Sequence, residues 1–166
     1  MVALLRRRLR PIPPVGTSLV FERREIRWDL KRGWDRDLQR VREALPEHLH
    51  DSAPYRNGRR GLWTAIARAA DVPVGIAWSM FWVADPAYAW LEELAVVPEW
   101  RRQGVGTRLI LDTADWMAAE GFASLASHPI TPEARDLMKH LGFSAIDLGT
   151  YVTPLDRLLS SNSHRW

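Results

Sequence analysis

The sequence predicts an α/β fold of the α+β kind, in which a mixed and mostly antiparallel central sheet is flanked by helices. Three apolar, strand-like runs follow one another between positions 62 and 97 with only short turns between them, which is typical of an antiparallel meander. A helical pattern then separates this meander from another strand-like run, which predicts a parallel pair joined by a crossover. With 166 residues and 46% hydrophobic residues, the chain can bury the core of one domain.

The first sixty residues contain an arm, a strand and a helical region. Residues 1–16 are basic and rich in proline, so we expect a poorly ordered arm. Residues 18–26 can form a first strand. Apolar side chains recur at helical spacing over 34–45, and Pro46 ends that helix. Residues 47–60 are polar, which favours a short second helix and loops.

The remaining elements follow from hydrophobic spacing and turn residues. The meander strands are predicted at Leu62–Ala69, Val74–Val83 and Tyr88–Val97. Later elements are a helix over Gly104–Glu120, a strand over Phe122–Ser127, a helix over Pro132–Leu141, and a hairpin of Phe143–Leu148 with Thr150–Leu155. The expected order is β-α-α-β-β-β-α-β-α-β-β. We place one domain at 17–155 and a polar tail at 156–166.

Composition narrows the class of function. The chain has no cysteine, which excludes disulfides, cysteine-based zinc sites and a cysteine nucleophile. Its net charge is +3, a mild basicity that suits an anionic ligand. Neither a signal peptide nor an apolar run of membrane-spanning length is evident, so we expect a cytoplasmic protein without a membrane partner. We also expect no metal, because His48 and His50 have no third ligand nearby in the sequence.

The most informative segment connects the third meander strand to the next helix. After Pro98 the sequence continues Arg-Arg-Gln-Gly-Val-Gly from Arg101 to Gly106. Two glycines allow the backbone to approach an anion closely, and the start of a helix supplies unpaired N–H groups and the positive end of its dipole. The segment therefore predicts a diphosphate-binding loop. Glu92 and Glu93 lie on the strand that precedes it.

This segment resembles the acetyl-CoA-binding motif of the GNAT (Gcn5-related) N-acetyltransferase superfamily. Arg101, Gly104 and Gly106 match the pattern Arg/Gln-x-x-Gly-x-Gly/Ala, and the Leu-Gly-Phe that ends at Phe143 is similar to the closing helix–strand junction of that family. The resemblance extends over about residues 18–155. It implies the element order deduced above, with two strands that splay apart beside the glycine loop.

The resemblance implies acetyl-CoA as cofactor. The backbone of the strand end is expected to pair with the pantetheine arm, while N–H groups at the helix start hold the diphosphate and an arginine contacts a phosphate. The expected cofactor-binding residues are Leu94, Ala95, Val96, Arg101, Arg102, Gln103, Gly104, Val105, Gly106 and Thr107.

The carboxylates on the same strand are the candidate bases. Acetyl transfer requires an amine with a free lone pair, and a carboxylate can remove the proton from an ammonium group. We assign Glu92 as the first candidate base and Glu93 as the second. Because side chains alternate along a strand, at most one is expected to face the cleft unless the strand twists. Alternatively, both are merely solvated.

The general acid departs from the family pattern. The family's frequent tyrosine corresponds to Met138, and a frequent asparagine to Thr131. Methionine cannot donate a proton, so either another group serves or the thiolate leaves without help. The candidate replacements are His128, His140, Tyr88 and Tyr151.

Aromatic side chains on the meander suggest an acceptor pocket. Trp78, Trp82, Tyr88 and Trp90 can form aromatic walls for a hydrophobic or cationic amine. The alternative is that they pack the core.

These observations predict an N-acetyltransferase that acetylates a primary amine of a small molecule or peptide by direct attack on the thioester. A homodimer is possible by resemblance, and no nucleic-acid partner is expected. One alternative is an acyl-CoA sensor or partner-binding domain without turnover. Another is nucleic-acid binding by the arm, which predicts a steep salt dependence.

Overall fold

A computed structural model describes the backbone of residues 11–26, 59–82 and 85–163; within these ranges it does not describe the side chains of 24–26, 59–62, 81–82 and 85–86. The strands are β1 (Leu19–Ile26), β2 (Arg59–Ala69), β3 (Val72–Trp82), β4 (Asp85–Val96), β5 (Ser124–Ser127), β6 (Ser144–Ala145) and β7 (Tyr151–Pro154). The helices are α1 (Val105–Ala119), α2 (Pro132–His140) and α3 (Leu155–Asn162), with a short 3-10 turn at Pro98–Trp100.

The seven strands form one sheet in the order β1-β2-β3-β4-β5-β7-β6. Strand β4 pairs in parallel with β5, and the other five pairings are antiparallel. The predicted fold class, a mixed and mostly antiparallel sheet with helices, is therefore confirmed. The two helices expected between β1 and β2 lie at positions outside the described residues.

Helix α1 packs against one face of the central strands. Gly75 on β3 makes the close approach possible, because a Cβ atom there would lie 3.0 Å from both Leu109 Cδ1 and Val105 Cγ1. Small side chains line the same face of β2 and β3, including the buried Ala65, Ala67 and Ala77. This packing fixes the start of α1 beside the end of β4.

The two chain ends depart from their sequence-based descriptions. Residues 155–162 form helix α3 and not a polar tail, because Leu155 and Leu158 share one helical face and are buried. At the other end, part of the arm is docked: the Trp100 indole N–H donates to the Pro13 carbonyl over 2.9 Å, and Ile12 packs against the core. Residues 1–10 lie outside the described part.

The strand expected at Phe143–Leu148 is also shorter, since only Ser144 and Ala145 pair with β7. Asp147 ends the strand by folding its carboxylate back onto the backbone: Oδ1 accepts the N–H groups of Gly149 and Thr150 at 2.9 and 2.7 Å. This local side-chain turn competes with strand extension.

Leu158→Ala tests whether α3 belongs to the folded unit. Leu158 is fully buried, so its truncation should lower the free energy of unfolding by about 2–5 kcal/mol. Urea denaturation measures this change. Ser161→Ala, at an exposed position of the same helix, is the control and should stay within about 0.5 kcal/mol of the parent. Equal stabilities of the two variants would show that α3 does not contribute to the core.

No described helix combines the length and apolarity needed to cross a bilayer.

Candidate functional site

A gap opens between β4 and β5. The parallel pairing runs from Tyr88 opposite Ser124 to Leu91 opposite Ser127, where β5 ends. At this closed end of the gap the Ser127 hydroxyl donates to the Leu91 carbonyl over 3.0 Å. Strand β4 continues to Val96. Within the described part of the chain, residues 92–96 thus have no strand neighbour on the β5 side.

The backbone of β4 presents hydrogen-bonding groups along this open edge. Val97 donates its N–H to Val74 on β3 over 2.9 Å, so by alternation the N–H and C=O groups of Val96 and Leu94 point the other way, into the gap. The Val96 carbonyl accepts a hydrogen bond from Arg101 Nε at 3.0 Å. An extended chain laid along the gap can pair with this edge as an added strand.

The open edge leads to the start of α1. Gly104 is the N-cap in the left-handed region, with φ of 78°, and Arg102 has φ of 61°. No side chain in the described part of the chain caps this helix start, and its first turn has no acidic residue. The N–H groups of residues 105–107 are therefore oriented to bind an anion, and exposed Arg101, Arg102 and Gln103 surround them.

Gly106 borders the gap. A Cβ atom added there would lie 3.5 Å from Leu137 Cδ2 on α2, 3.7 Å from Leu94 Cδ2 and 3.9 Å from Val96 Cγ2. These are ordinary van der Waals distances, so the protein has room for a methyl group. The side chain would occupy space between the helix start and the open edge of β4.

A bulge in β4 changes the placement of the two glutamates. Leu91 pairs with Ser79, whose hydroxyl contacts Met117 Sδ on α1, whereas Glu93 pairs with Trp78 on the opposite face. Leu91 and Glu93 would share a face in a regular strand, so the alternation resets at Glu92. The expected placement of Glu92 and Glu93 on opposite faces consequently does not follow at this point.

The two glutamates also differ in environment. Glu93 is half-buried, and its Oε2 accepts a hydrogen bond from the Trp78 indole N–H at 2.8 Å. Glu92 is exposed at the closed end of the gap. The two neighbouring carboxylates thus differ in exposure, and the indole of Trp78 holds that of Glu93.

The aromatic residues are only partly available as pocket walls. Trp78 is 3% exposed and packs with Ile76, Met80 and Ala95, which agrees with the core-packing alternative for this residue. Trp90 and Tyr88 are half-buried. The side chain of Trp82 lies outside the described residues.

Sequence reasoning missed a polar chain beside the gap. His128 follows the last residue of β5 and stacks on Trp90, with ring centroids 5.0 Å apart and planes at 23°. Its Nδ1 lies 3.4 Å from the Thr150 hydroxyl, which donates to Asp147 Oδ2 over 2.8 Å. His128 was a candidate acid; Asp147 and Thr150 were not considered, although Asp-x-Gly-Thr is a recognisable side-chain turn.

Hydrogen bonds keep the Asp147 carboxyl ionised. The Gly149 N–H, followed by the hydroxyl and N–H of Thr150, lowers the pKa of Asp147 below its ordinary value of 3.8. Positive charge on His128 contributes in the same direction. Near neutral pH the carboxylate is therefore a fixed acceptor for Thr150.

The positions that depart from the family pattern have structural roles. Met138 is 2% exposed and belongs to the core, and the Thr131 hydroxyl caps α2 by accepting the Ala134 N–H at 3.2 Å. Among the other candidate acids, Tyr151 is buried in β7 and His140 is exposed near the end of α2.

Comparisons with known proteins agree with this architecture. A family model described as the acetyltransferase (GNAT) family matches residues 23–143. No curated protein matches the sequence significantly.

Similar solved structures share the fold. A GNAT-family protein from Desulfovibrio desulfuricans aligns with a TM-score of 0.61 at 17% identity, over 83% of this chain and 99% of the other. The ribosomal-protein-S18-alanine N-acetyltransferase from Escherichia coli aligns with a TM-score of 0.54 at 16% identity, over 81% and 94%. Nourseothricin acetyltransferase gives 0.52 at 18% identity, over 57% and 65%. At such low sequence identities, the similarity of these structures to this chain shows a shared fold and nothing more.

Proposed function

Because the family model covers most of its length, the chain belongs to the acetyltransferase (GNAT) family, and on that premise we propose that it transfers an acetyl group from acetyl-CoA to a primary amine. The observation that carries the proposal is the open edge of β4, which leads directly into the uncapped start of α1. CoA consists of an extended pantetheine chain with a diphosphate at one end. The chain matches the open edge of β4, and the diphosphate matches the start of α1.

The cofactor-binding residues divide by the part of CoA that they would hold. The N–H groups at positions 105–107 suit the diphosphate, and the exposed guanidinium groups of Arg101 and Arg102 suit a phosphate. The backbone groups of Leu94 and Val96 suit the pantetheine amides. Ala95 lies between them, so its N–H and C=O groups face β3. Its backbone therefore does not bond to the pantetheine amides directly, and it contributes by holding Leu94 and Val96 in position.

With the diphosphate at the start of α1 and the pantetheine chain running back along β4, the thioester lies at the closed end of the gap. Positions 92 to 96 span about 13 Å at roughly 3.3 Å per residue, which leads from the anion site back toward Glu92. The Leu94 N–H is a donor for the thioester carbonyl, whose oxygen gains charge as the amine attacks. By alternation Ala95 faces β3, and of the two residues that face the gap Leu94 lies nearer the closed end than Val96.

Acid–base chemistry is assigned to the β4 glutamates. Glu92, exposed beside the expected thioester position, accepts the proton of the attacking amine. Glu93, held by Trp78, offers a negative charge that attracts the ammonium form of the acceptor. Half-buried Trp90 and Tyr88 are the aromatic walls that we retain for the acceptor site. The acceptor is a small molecule or a peptide with a primary amine.

One observation favours a second candidate, a CoA-binding sensor without turnover. Met138 lies in the core where the family often has tyrosine, so a common source of the proton for the departing thiolate is missing.

Calorimetry with CoA, followed by transfer of labelled acetyl groups to a panel of primary amines, distinguishes the candidates. We expect saturable binding of CoA and transfer to at least one amine. Saturable binding with no transfer to any amine would support the sensor. Absence of binding heat, confirmed by an unchanged Tm in the presence of CoA, would contradict both candidates.

A further inference from the structure

The hydrogen bonds around His128 determine which ring nitrogen is free. Thr150 donates its single hydroxyl proton to Asp147 Oδ2, and the lowered pKa of Asp147 keeps that carboxylate ionised. The Thr150 oxygen can then only accept from the imidazole, so Nδ1 carries a hydrogen. Nε2, on the opposite edge of the ring, has no hydrogen-bond partner among the residues that the structure describes. An imidazole arranged in this way can gain and release a proton at Nε2.

His128 belongs to the segment that borders the closed end of the gap. Leu91 and Ser127 are the last paired residues, so Glu92 is the first residue beyond them on β4, and His128 is the first residue after the end of β5. Trp90 fixes the plane of the imidazole by stacking on it, and His128 is exposed to solvent from which it can recover a proton. A thioester that lies at Glu92 would therefore have His128 across the gap.

We propose that His128 is the general acid of this enzyme and donates the Nε2 proton to the departing thiolate of CoA, with Thr150 and Asp147 as positioning residues. The amine nitrogen forms the new bond to the acetyl carbon, and Glu92 takes the proton that the amine loses. The carbon–sulfur bond breaks with its electron pair on sulfur, and sulfur receives the proton from Nε2. Solvent then reprotonates His128 and removes the proton from Glu92. This assignment rests on the proposed function.

Among the charged groups of the described residues, the Asp147 carboxylate in the loop before β7 interacts electrostatically with His128. Glu92 is the first residue of β4 beyond the residues that pair with β5. Because an acid must carry its proton, catalysis should decline as the pH rises through the ionisation of the acid.

A binding experiment tests the contact with sulfur without turnover. At about pH 8, where a thiol of ordinary pKa near 8.5 is partly ionised, calorimetry compares CoA with desulfo-CoA, which lacks the sulfur atom. The parent should prefer CoA, and His128→Gln should bind both equally. His140→Gln, which changes an exposed histidine at the end of α2, should keep the preference. If His128 had a purely structural role, His128→Gln would bind CoA and desulfo-CoA more weakly by the same factor, and that result would overturn the proposal.

A kinetic experiment tests proton donation with an amine that the parent acetylates. His128→Gln should lower kcat about tenfold, less than the roughly 10²-fold usual for general acids, because a thiolate is a tolerable leaving group. The decline of kcat at high pH should disappear in this variant and shift in Thr150→Val. If kcat of His128→Gln still declined at high pH as in the parent, the assignment of His128 as general acid would be overturned, while the proposed function would stand. If the parent acetylates no amine, the proposed function fails and the acid fails with it, whatever the binding preference.

Discussion

Gly106→Val is expected to weaken the binding of coenzyme A about 100-fold, which is about 2.7 kcal/mol, while the protein remains folded. The family pattern admits glycine or alanine at this position, so a side chain larger than a methyl group is needed to test it. The Cβ atom meets only ordinary contacts with Leu94, Val96 and Leu137, so the protein accommodates it without strain. The two methyl groups of valine reach further into the space between the helix start and the open edge of β4, where the diphosphate and the pantetheine chain should lie.

Calorimetry with CoA and thermal unfolding of the ligand-free protein measure the two effects separately. Gly121→Val is the matched control: Gly121 has φ of 92° at the far end of α1, with nothing within 4 Å of an added Cβ. That variant should lose about 1–2 kcal/mol of stability or more from the left-handed backbone and bind CoA normally. Normal binding by Gly106→Val would argue against a cofactor in this gap.

Glu92→Gln is expected to lower kcat by roughly 10²-fold or more, since the amide cannot take a proton from the amine. The pH dependence provides a specific signature. The base must be deprotonated, so the parent's kcat should decline as the pH falls, and this decline should be absent in the variant. Steady-state kinetics across pH with an amine from the panel measure both quantities. Exposed Glu120→Gln, at the far end of α1, should change neither.

Glu93→Gln separates the two carboxylates. Its amide oxygen can still accept the Trp78 N–H, so the local structure should persist while the charge is lost. We expect KM for the amine to rise about tenfold, equivalent to about 1.4 kcal/mol, with kcat little changed. A large fall in kcat in Glu93→Gln, together with a normal kcat in Glu92→Gln, would exchange the two roles.

The glycine turn and the start of α1, where we propose the anion site, could be predicted from sequence because their determinants are local. The glycine spacing, the end of β4 and the start of α1 lie within one continuous segment, and the backbone conformations needed there depend mainly on neighbouring residues. Helix α3 was missed for the converse reason. Leu155 and Leu158 have helical spacing, but in so short a segment this pattern becomes informative only when another helix covers it.

The geometry at the reacting end depended on pairings between distant parts of the chain. The bulge at Glu92 reflects a shift in the pairing register of β3 and β4 between Trp78 and Ser79. The gap exists because β5 ends at Ser127 while β4 continues. The link from His128 through Thr150 to Asp147 joins residues nineteen positions apart, beside the end of the pairing between β5 and β7. Short-range patterns encode the preferences of the backbone, whereas the meeting of side chains from separate strands is decided only when the sheet closes around a common core.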